Sequence, residues 1–128
     1  MENGSDNDRE LLAEEPLRGL REFLAKAEKP ILARQWIETD VMRIYVRKSM
    51  RILEGQTLQC LDIAAIEVQE EYQGQGLFKT FVTKAHQLNP YQATCIEHAQ
   101  SPYIEKWCQT NGWRIIPNTF PPSFYLPK

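Results

Sequence analysis

The sequence predicts a single mixed α/β domain. Three segments carry that expectation: a helical apolar stripe near the N-terminus, a run with period two in the middle, and an almost continuously apolar run that passes through a Gly-x-Gly turn into a second helical stripe. The chain has 128 residues, of which 42% are hydrophobic, enough for one domain around one core.

Residues 1–10 are rich in Asn, Asp, Gly and Ser and are expected to form a mobile tail, leaving 11–128 as the domain. Leu17, Leu20, Phe23, Leu24 and Ala27 then recur at helical spacing, with Pro16 at the start and Pro30 as the stop. From residue 42 the period is two. Met42, Ile44, Val46, Met50 and Ile52 share one face, and Arg43, Tyr45, Arg47, Ser49 and Arg51 the other. Lys48 interrupts the apolar series, so one long strand or two strands joined near 47–49 both fit. The three arginines read either as a solvated strand face or as a cationic rim for an acidic ligand.

Glu54-Gly55-Gln56 reads as a turn, and residues 58–68 as a central strand buried on both faces. Leu77, Phe78, Phe81, Val82, Ala85 and Leu88 form the next helical stripe, ended by Asn89-Pro90. Residues 92–97 read as a short strand. Ser101-Pro102 reads as an N-cap with proline in the first turn, and Asn111-Gly112 as the end of that helix. Residues 113–116 form a strand, and 123–126, flanked by prolines, an edge strand. Such an edge leaves pairing into a homodimer open.

The balance of 15 basic and 17 acidic residues, net charge -2, gives no strong field for nucleic acid or an anionic membrane. Three cysteines without paired spacing, Cys60, Cys95 and Cys108, suggest free thiols in a reducing compartment and match no zinc pattern. No apolar run approaches a membrane span, so the cytoplasm is the expected location.

The chemistry-bearing segment is Glu71-Tyr72-Gln73-Gly74-Gln75-Gly76 between strand and helix. Glycines two apart allow a tight turn that brings successive N–H groups to one point, and the following helix adds its unpaired amides and positive dipole end. Together these make a site for phosphates that needs no lysine. The alternative is a tight turn with no ligand.

The stretch 62–78 closely resembles the acetyl-coenzyme A signature of GNAT N-acetyltransferases. In that family a central strand ends in valine, as at Val68, and Gln/Arg-x-x-Gly-x-Gly/Ala follows. Gly74 and Gly76 match the small positions. Glu71 departs from the usual Gln or Arg. The run from Cys95 to Trp113 resembles the family's later strand, helix and Gly-aromatic ending, so the likeness spans 58–116. It implies a GNAT fold: a mixed central sheet whose parallel strands splay apart, flanked by helices.

It further implies that acetyl-CoA is the co-substrate, with backbone groups near Ile66 and Val68 binding the pantetheine arm. Gln73, Gly74, Gln75, Gly76, Leu77 and Phe78 would cradle the diphosphate, and Ser101 would lie near the thiol end. The implied reaction is acetyl transfer to an amine of a small molecule or protein. Glu67 and Glu97 are the candidate bases, with Glu67 preferred. Many members carry tyrosine as the acid where this chain has Cys108, so Cys108 or Tyr103 would take that role, unless positioning alone suffices. His98 borders the implied cleft and reads as a cleft residue or a solvated one, and His86 as solvated. Trp107 and Trp113 read as core. The alternative is a weakly active or inactive module of the same fold that binds acetyl-CoA or a protein partner.

Overall fold

The computed structural model describes residues 6–27, 33–99 and 101–128. Its elements run α1 (Asp6–Lys26), β1 (Ala33–Glu38), β2 (Met42–Leu53), β3 (Gln56–Val68), a 3-10 turn (Glu70–Tyr72), α2 (Leu77–Leu88), β4 (Ala93–Ile96), α3 (Pro102–Thr110), β5 (Arg114–Ile116) and β6 (Ser123–Pro127). The six strands form one sheet in the order β1-β2-β3-β4-β6-β5. Among the described residues the β3–β4 pair alone is parallel, joined by the crossover through α2.

Side chains alternate across the strands and divide the core in two. Leu61 and Ile63 of β3, with Met42, Ile44 and Val46 of β2, join the large cluster. That cluster also takes Ala13, Leu17, Leu20 and Phe23 from α1, Phe81, Val82 and Ala85 from α2, and Cys108 from α3. The other face holds a smaller cluster of Leu53, Cys60, Ala93, Cys95 and Tyr125.

Several expectations are corrected here. The first helix begins at Asp6, inside the segment expected to be a tail, and carries Pro16 in its interior. Asp8 suits a first helical turn, where negative charge meets the positive dipole end. Residues 1–5 and the expected stop at Pro30 lie outside the described residues. Residues 42–53 form one strand, because Lys48 is buried: its Nζ donates to the Ala27 carbonyl at 2.9 Å and lies 5.3 Å from the Tyr91 ring centroid. Strand 58–68 is buried on both faces only over residues 60–63.

The last strand is no edge. β6 lies between β4 and β5, pairing with both, and β5 takes the border. The homodimer argument from that edge therefore falls. The flanking prolines misled because Pro121 and Pro122 precede β6 and Pro127 stands at its very end, so the strand interior keeps its donors. Trp113 is buried and Trp107 packs against the large cluster, as expected of core.

Candidate functional site

The site begins with a mismatch of one residue. In the β2–β3 ladder Tyr45 faces Ala65 but Val46 faces Ile63, so Ala64 is an extra residue with no partner on β2. A bulge of this kind bends its strand. It also shifts the phase, so that Ile63 and Ile66 both turn toward the helix-covered core. Beside the bulge the parallel pairing stops: the last β3–β4 pair is Ile63–Ile96, closed by the Glu97 amide donating to the Ile63 carbonyl at 3.1 Å. β3 continues to Val68 without β4, and a cleft of about 430 Å³ opens there, lined by residues including Ala64, Ala65, Ile66, Glu97, His98 and Ser101.

The glycine loop stands at the far end of the same strand. The Glu70–Tyr72 turn follows Val68, and the Gln73 amide donates to the Glu70 carbonyl at 3.2 Å. Gln73 Nε2 returns to the Val68 carbonyl at 3.0 Å, so this side chain shapes the loop. Gly74 (φ 78°) and Gly76 (φ 79°) both take the left-handed conformation that favours glycine. Gly76 is the N-cap of α2 and supplies no side-chain cap, and the first turn of α2 carries no acid. The helix's first amides are thus left for another acceptor. A Cβ on Gly74 would meet nothing within 4 Å, which keeps the approach open. The loop borders a cavity of about 940 Å³ lined also by Gln75, Leu77, Phe78, Lys79, Tyr103 and Arg9. Glu10 lines the same cavity from α1, so the case for a diphosphate group rests on the open approach and the uncapped helix start alone.

The remaining expected residues fall as follows. Ile66 and Ser101 line the cleft, and the Ser101 hydroxyl accepts from the Tyr103 amide at 3.2 Å as the expected cap of α3. Val68 ends the strand and packs against the core. Leu77 and Phe78 are buried at the start of α2, Phe78 edge-on to Trp107 with centroids 5.5 Å apart. Glu67 lies on the face away from the helices, exposed, 3.8 Å from Arg43.

Glu97 lines the cleft but is already paired. Arg47 and Arg51 both donate to its Oε1, and both guanidiniums also reach the buried Asp62, Arg51 at 3.0 and 3.1 Å and Arg47 at 3.5 Å. Arg43, Arg47 and Arg51 are therefore strand-face residues that pair with carboxylates. His98, with φ 48°, also lines the cleft; its amide donates to Ser123 Oγ at 2.9 Å and its Nδ1 lies 3.2 Å from the Pro121 carbonyl.

Cys108 is a correction. It is fully buried in the large cluster and does not line the cleft, and burial pushes its thiol up to about 12. A thiol there is remote from solvent and a poor proton donor at neutral pH. His86 is a second correction: it is half-buried, its Nδ1 2.7 Å from Thr94 Oγ1. The three cysteines are free thiols, all buried.

Sequence reasoning missed Ala64, Asp62 and Arg9. The bulge had a signal: the large apolar residues stand at 61 and 63, then at 66 and 68, a slip of one in a period of two. Asp62, a lone acid within an apolar run, hinted at a buried partner. Arg9 gave none.

A mixed sheet whose parallel strands part beside a bulge, with a glycine loop leading into the crossover helix, is the GNAT fold. No family model and no curated protein matches the chain in sequence. Among solved structures it is similar to a mutant of the toxin AtaT bound to the C-terminus of the antitoxin AtaR and acetyl-CoA. That likeness has a TM-score of 0.56 and 13% identity, over 88% of this chain and 78% of the other. It is also similar to the KacTA–DNA complex, with TM-score 0.56 and 15% identity, over 91% of this chain and 81% of the other. Among the described residues no helix is long and apolar enough to cross a membrane.

Proposed function

We propose that the chain is an acetyl-CoA-dependent N-acetyltransferase. The observation that carries the reading is the coincidence, along one strand, of the β3–β4 parting after Ile63–Ile96 and the uncapped start of α2 behind Gly74 and Gly76. The AtaT neighbour, solved with acetyl-CoA, supports the choice of ligand.

In this reading the amides of residues 74–78 hold the diphosphate, with Gln73 keeping the loop in shape. The free edge of β3 over residues 64–68 offers main-chain donors and acceptors to the extended pantetheine arm, as an added strand would use them. When bound, acetyl-CoA supplies a thioester whose acetyl group is already activated toward an amine. The residues of this chain place the amine and take its proton. Glu67 is the preferred proton acceptor, reached directly or through water, because it is exposed and loosely paired. Glu97, held by two guanidiniums, fixes the mouth of the cleft. With Cys108 buried, and Tyr103 lining the glycine-loop cavity and not the cleft, the leaving thiolate takes its proton from solvent. The acceptor is an amine on a small molecule or a macromolecule. The expectation against nucleic acid does not carry forward: it rested on net charge alone, and one structural neighbour is a DNA complex.

The second reading, a module that binds acetyl-CoA without turnover, is favoured by the burial of Cys108 at the acid position. Two measurements separate the cases. Melting temperature should rise steadily with acetyl-CoA, since a ligand at about 100 times its Kd stabilises by ~2.7 kcal/mol. Free thiol should then be released with an amine panel. No shift at millimolar acetyl-CoA sinks both readings, and a shift without thiol release leaves the binding module.

A further inference from the structure

We propose that His98 is the proton relay of the acetyl transfer, passing a solvent proton to the sulfur that leaves. The inference rests on reading the parting of β3 and β4 as the acetyl-CoA cleft.

The cleft has a closed end and an open one. β3 and β4 are still paired at Ile63–Ile96, and the glycine loop lies beyond Val68, past the other end of the same strand. An arm anchored at that loop and extended along residues 64–68 brings its thioester to the closed end, where β4 leaves the sheet. His98 stands two residues past Ile96 and lines the cleft there.

The described residues that line the cleft are apolar except Glu97, His98 and Ser101. Glu97 accepts from Arg47 and Arg51, and a carboxylate so paired has no proton to give. Ser101 caps α3, and an alcohol is too weak an acid for the task. Histidine takes up and releases protons near neutral pH.

The ring is set for this role. Nδ1 lies 3.2 Å from the Pro121 carbonyl, and a carbonyl only accepts, so Nδ1 carries a hydrogen. Among the described residues Nε2 has no partner, and the residue is exposed to solvent. The backbone is fixed as well. His98 takes φ 48°, a left-handed conformation uncommon for residues with a side chain. Its amide donates to Oγ of the buried Ser123 at 2.9 Å, and the Ala99 amide donates to the Pro122 carbonyl at 2.8 Å. Strain held in place from both sides is a mark of functional sites.

The step balances. As the amine nitrogen bonds to the acetyl carbon, the carbon–sulfur bond breaks with its electron pair going to sulfur. The charged ring gives its Nε2 proton to that sulfur and becomes neutral, keeping the hydrogen on Nδ1. Solvent then returns a proton to Nε2. The proton lost by the amine leaves through Glu67 or water.

The test uses two variants that accept a left-handed backbone, His98→Asn and His98→Gly. With a panel of primary alkyl and aryl amines, each should lower amine-dependent thiol release about a hundredfold. Each should keep the parent's melting shift with acetyl-CoA. Added imidazole should restore part of the rate in His98→Gly, where the lost ring leaves room. Nitrogen NMR of the parent should show the neutral His98 ring with its hydrogen on Nδ1, and coenzyme A should move the Nε2 resonance. Parental rates in both variants overturn the inference alone. So does a melting shift that falls together with the rate, which would mark damage to the cleft. A slow glycine variant that imidazole leaves slow, with an Nε2 resonance indifferent to coenzyme A, overturns it too. A parent that releases no thiol with any amine sinks the transferase reading first and takes the inference with it.

Discussion

Ile63 and Ile96 form the last pair at which the parallel strands β3 and β4 meet, and the residue that follows Ile63 is the bulge at Ala64. The cleft thus has a local cause. An extra residue on β3 changes the strand's course where β4 ends, and the edge it frees becomes the wall of the cleft.

Deleting Ala64 tests this cause. The deletion restores strict alternation through Ile63 and Ile66 without moving either from the core face, so the chain should still fold. The β2–β3 ladder should become continuous and the cleft should narrow. The expected result is a cooperative melt without ligand and no rise in melting temperature with acetyl-CoA. A deletion variant that keeps the full shift would show that the bulge does not set the site.

The glycine loop predicts a separable effect. Gly74→Ala meets no neighbour and suffers only the left-handed backbone cost, about 1 kcal/mol. Gly76→Ala adds a Cβ 3.1 Å from Arg9 Cδ. Both variants should lower acetyl-CoA affinity at least tenfold while unfolding in urea within about 2 kcal/mol of the parent, and Gly76→Ala should lose more in each measurement. Equal stability loss in the two would show that the Arg9 stem gives way to the added Cβ at no cost.

The ion cluster beneath the cleft is structural, and Asp62 is its centre. The side chain is 1% exposed and holds Arg51 through both oxygens. In Asp62→Asn, Arg47 and Arg51 keep Glu97 as a shared carboxylate and are partly exposed, so the cost falls below the ~3–5 kcal/mol of a fully buried pair. The expected loss in urea is about 2 kcal/mol, still more than for Glu67→Gln, whose partner Arg43 is exposed at 3.8 Å. If Glu67 takes the amine's proton, Glu67→Gln should lower thiol release about a hundredfold with no change in melting.

Much of this architecture was legible because its signals are local. The helical stripes of α1 and α2, the period of two in β2, the Ser101-Pro102 start of α3 and the two glycines each act within a few residues. What could not be read depends on partners distant in sequence. β1 has one deeply buried residue, Ile37, so its pattern is too weak to mark a strand. Lys48 looks like a break until the Ala27 carbonyl stands beside it. β6 takes an interior place because β4 and β5 leave room there, a matter of topology that its own residues do not encode. Arg9 sits in a polar segment whose composition suits solvent equally well, and only the packing of α1 on α2 brings it to Gly76. The likeness to the GNAT signature pointed to the glycine loop, and it put the acid at Cys108, which turns into the core.

That burial gives Cys108 a defined expectation. A fully buried side chain with its thiol pushed up to about 12 should react with iodoacetamide only as the protein unfolds. Cys108→Ala should cost about 1–2 kcal/mol through the small cavity it leaves and leave thiol release per folded molecule unchanged. A tenfold fall in turnover with intact stability would restore the thiol to the mechanism.

His86 makes stability depend on pH. Burial, and next the charge of Lys128, lower its pKa below the ordinary 6.5. Its Nδ1 shares a proton with Thr94 Oγ1 at 2.7 Å, and Asn89 Nδ2 donates to the same hydroxyl at 2.8 Å. The folded state therefore prefers the neutral ring. The contribution is fully present above the unfolded pKa, near 6.5, and is lost as pH falls through the lower folded value, because the unfolded chain binds the proton first. The urea midpoint should fall between pH 7.5 and pH 5, and His86→Gln, which keeps a side-chain hydrogen bond to Thr94 without titrating, should flatten part of that fall. The same slope in both proteins would assign the acid sensitivity to the buried carboxylates instead.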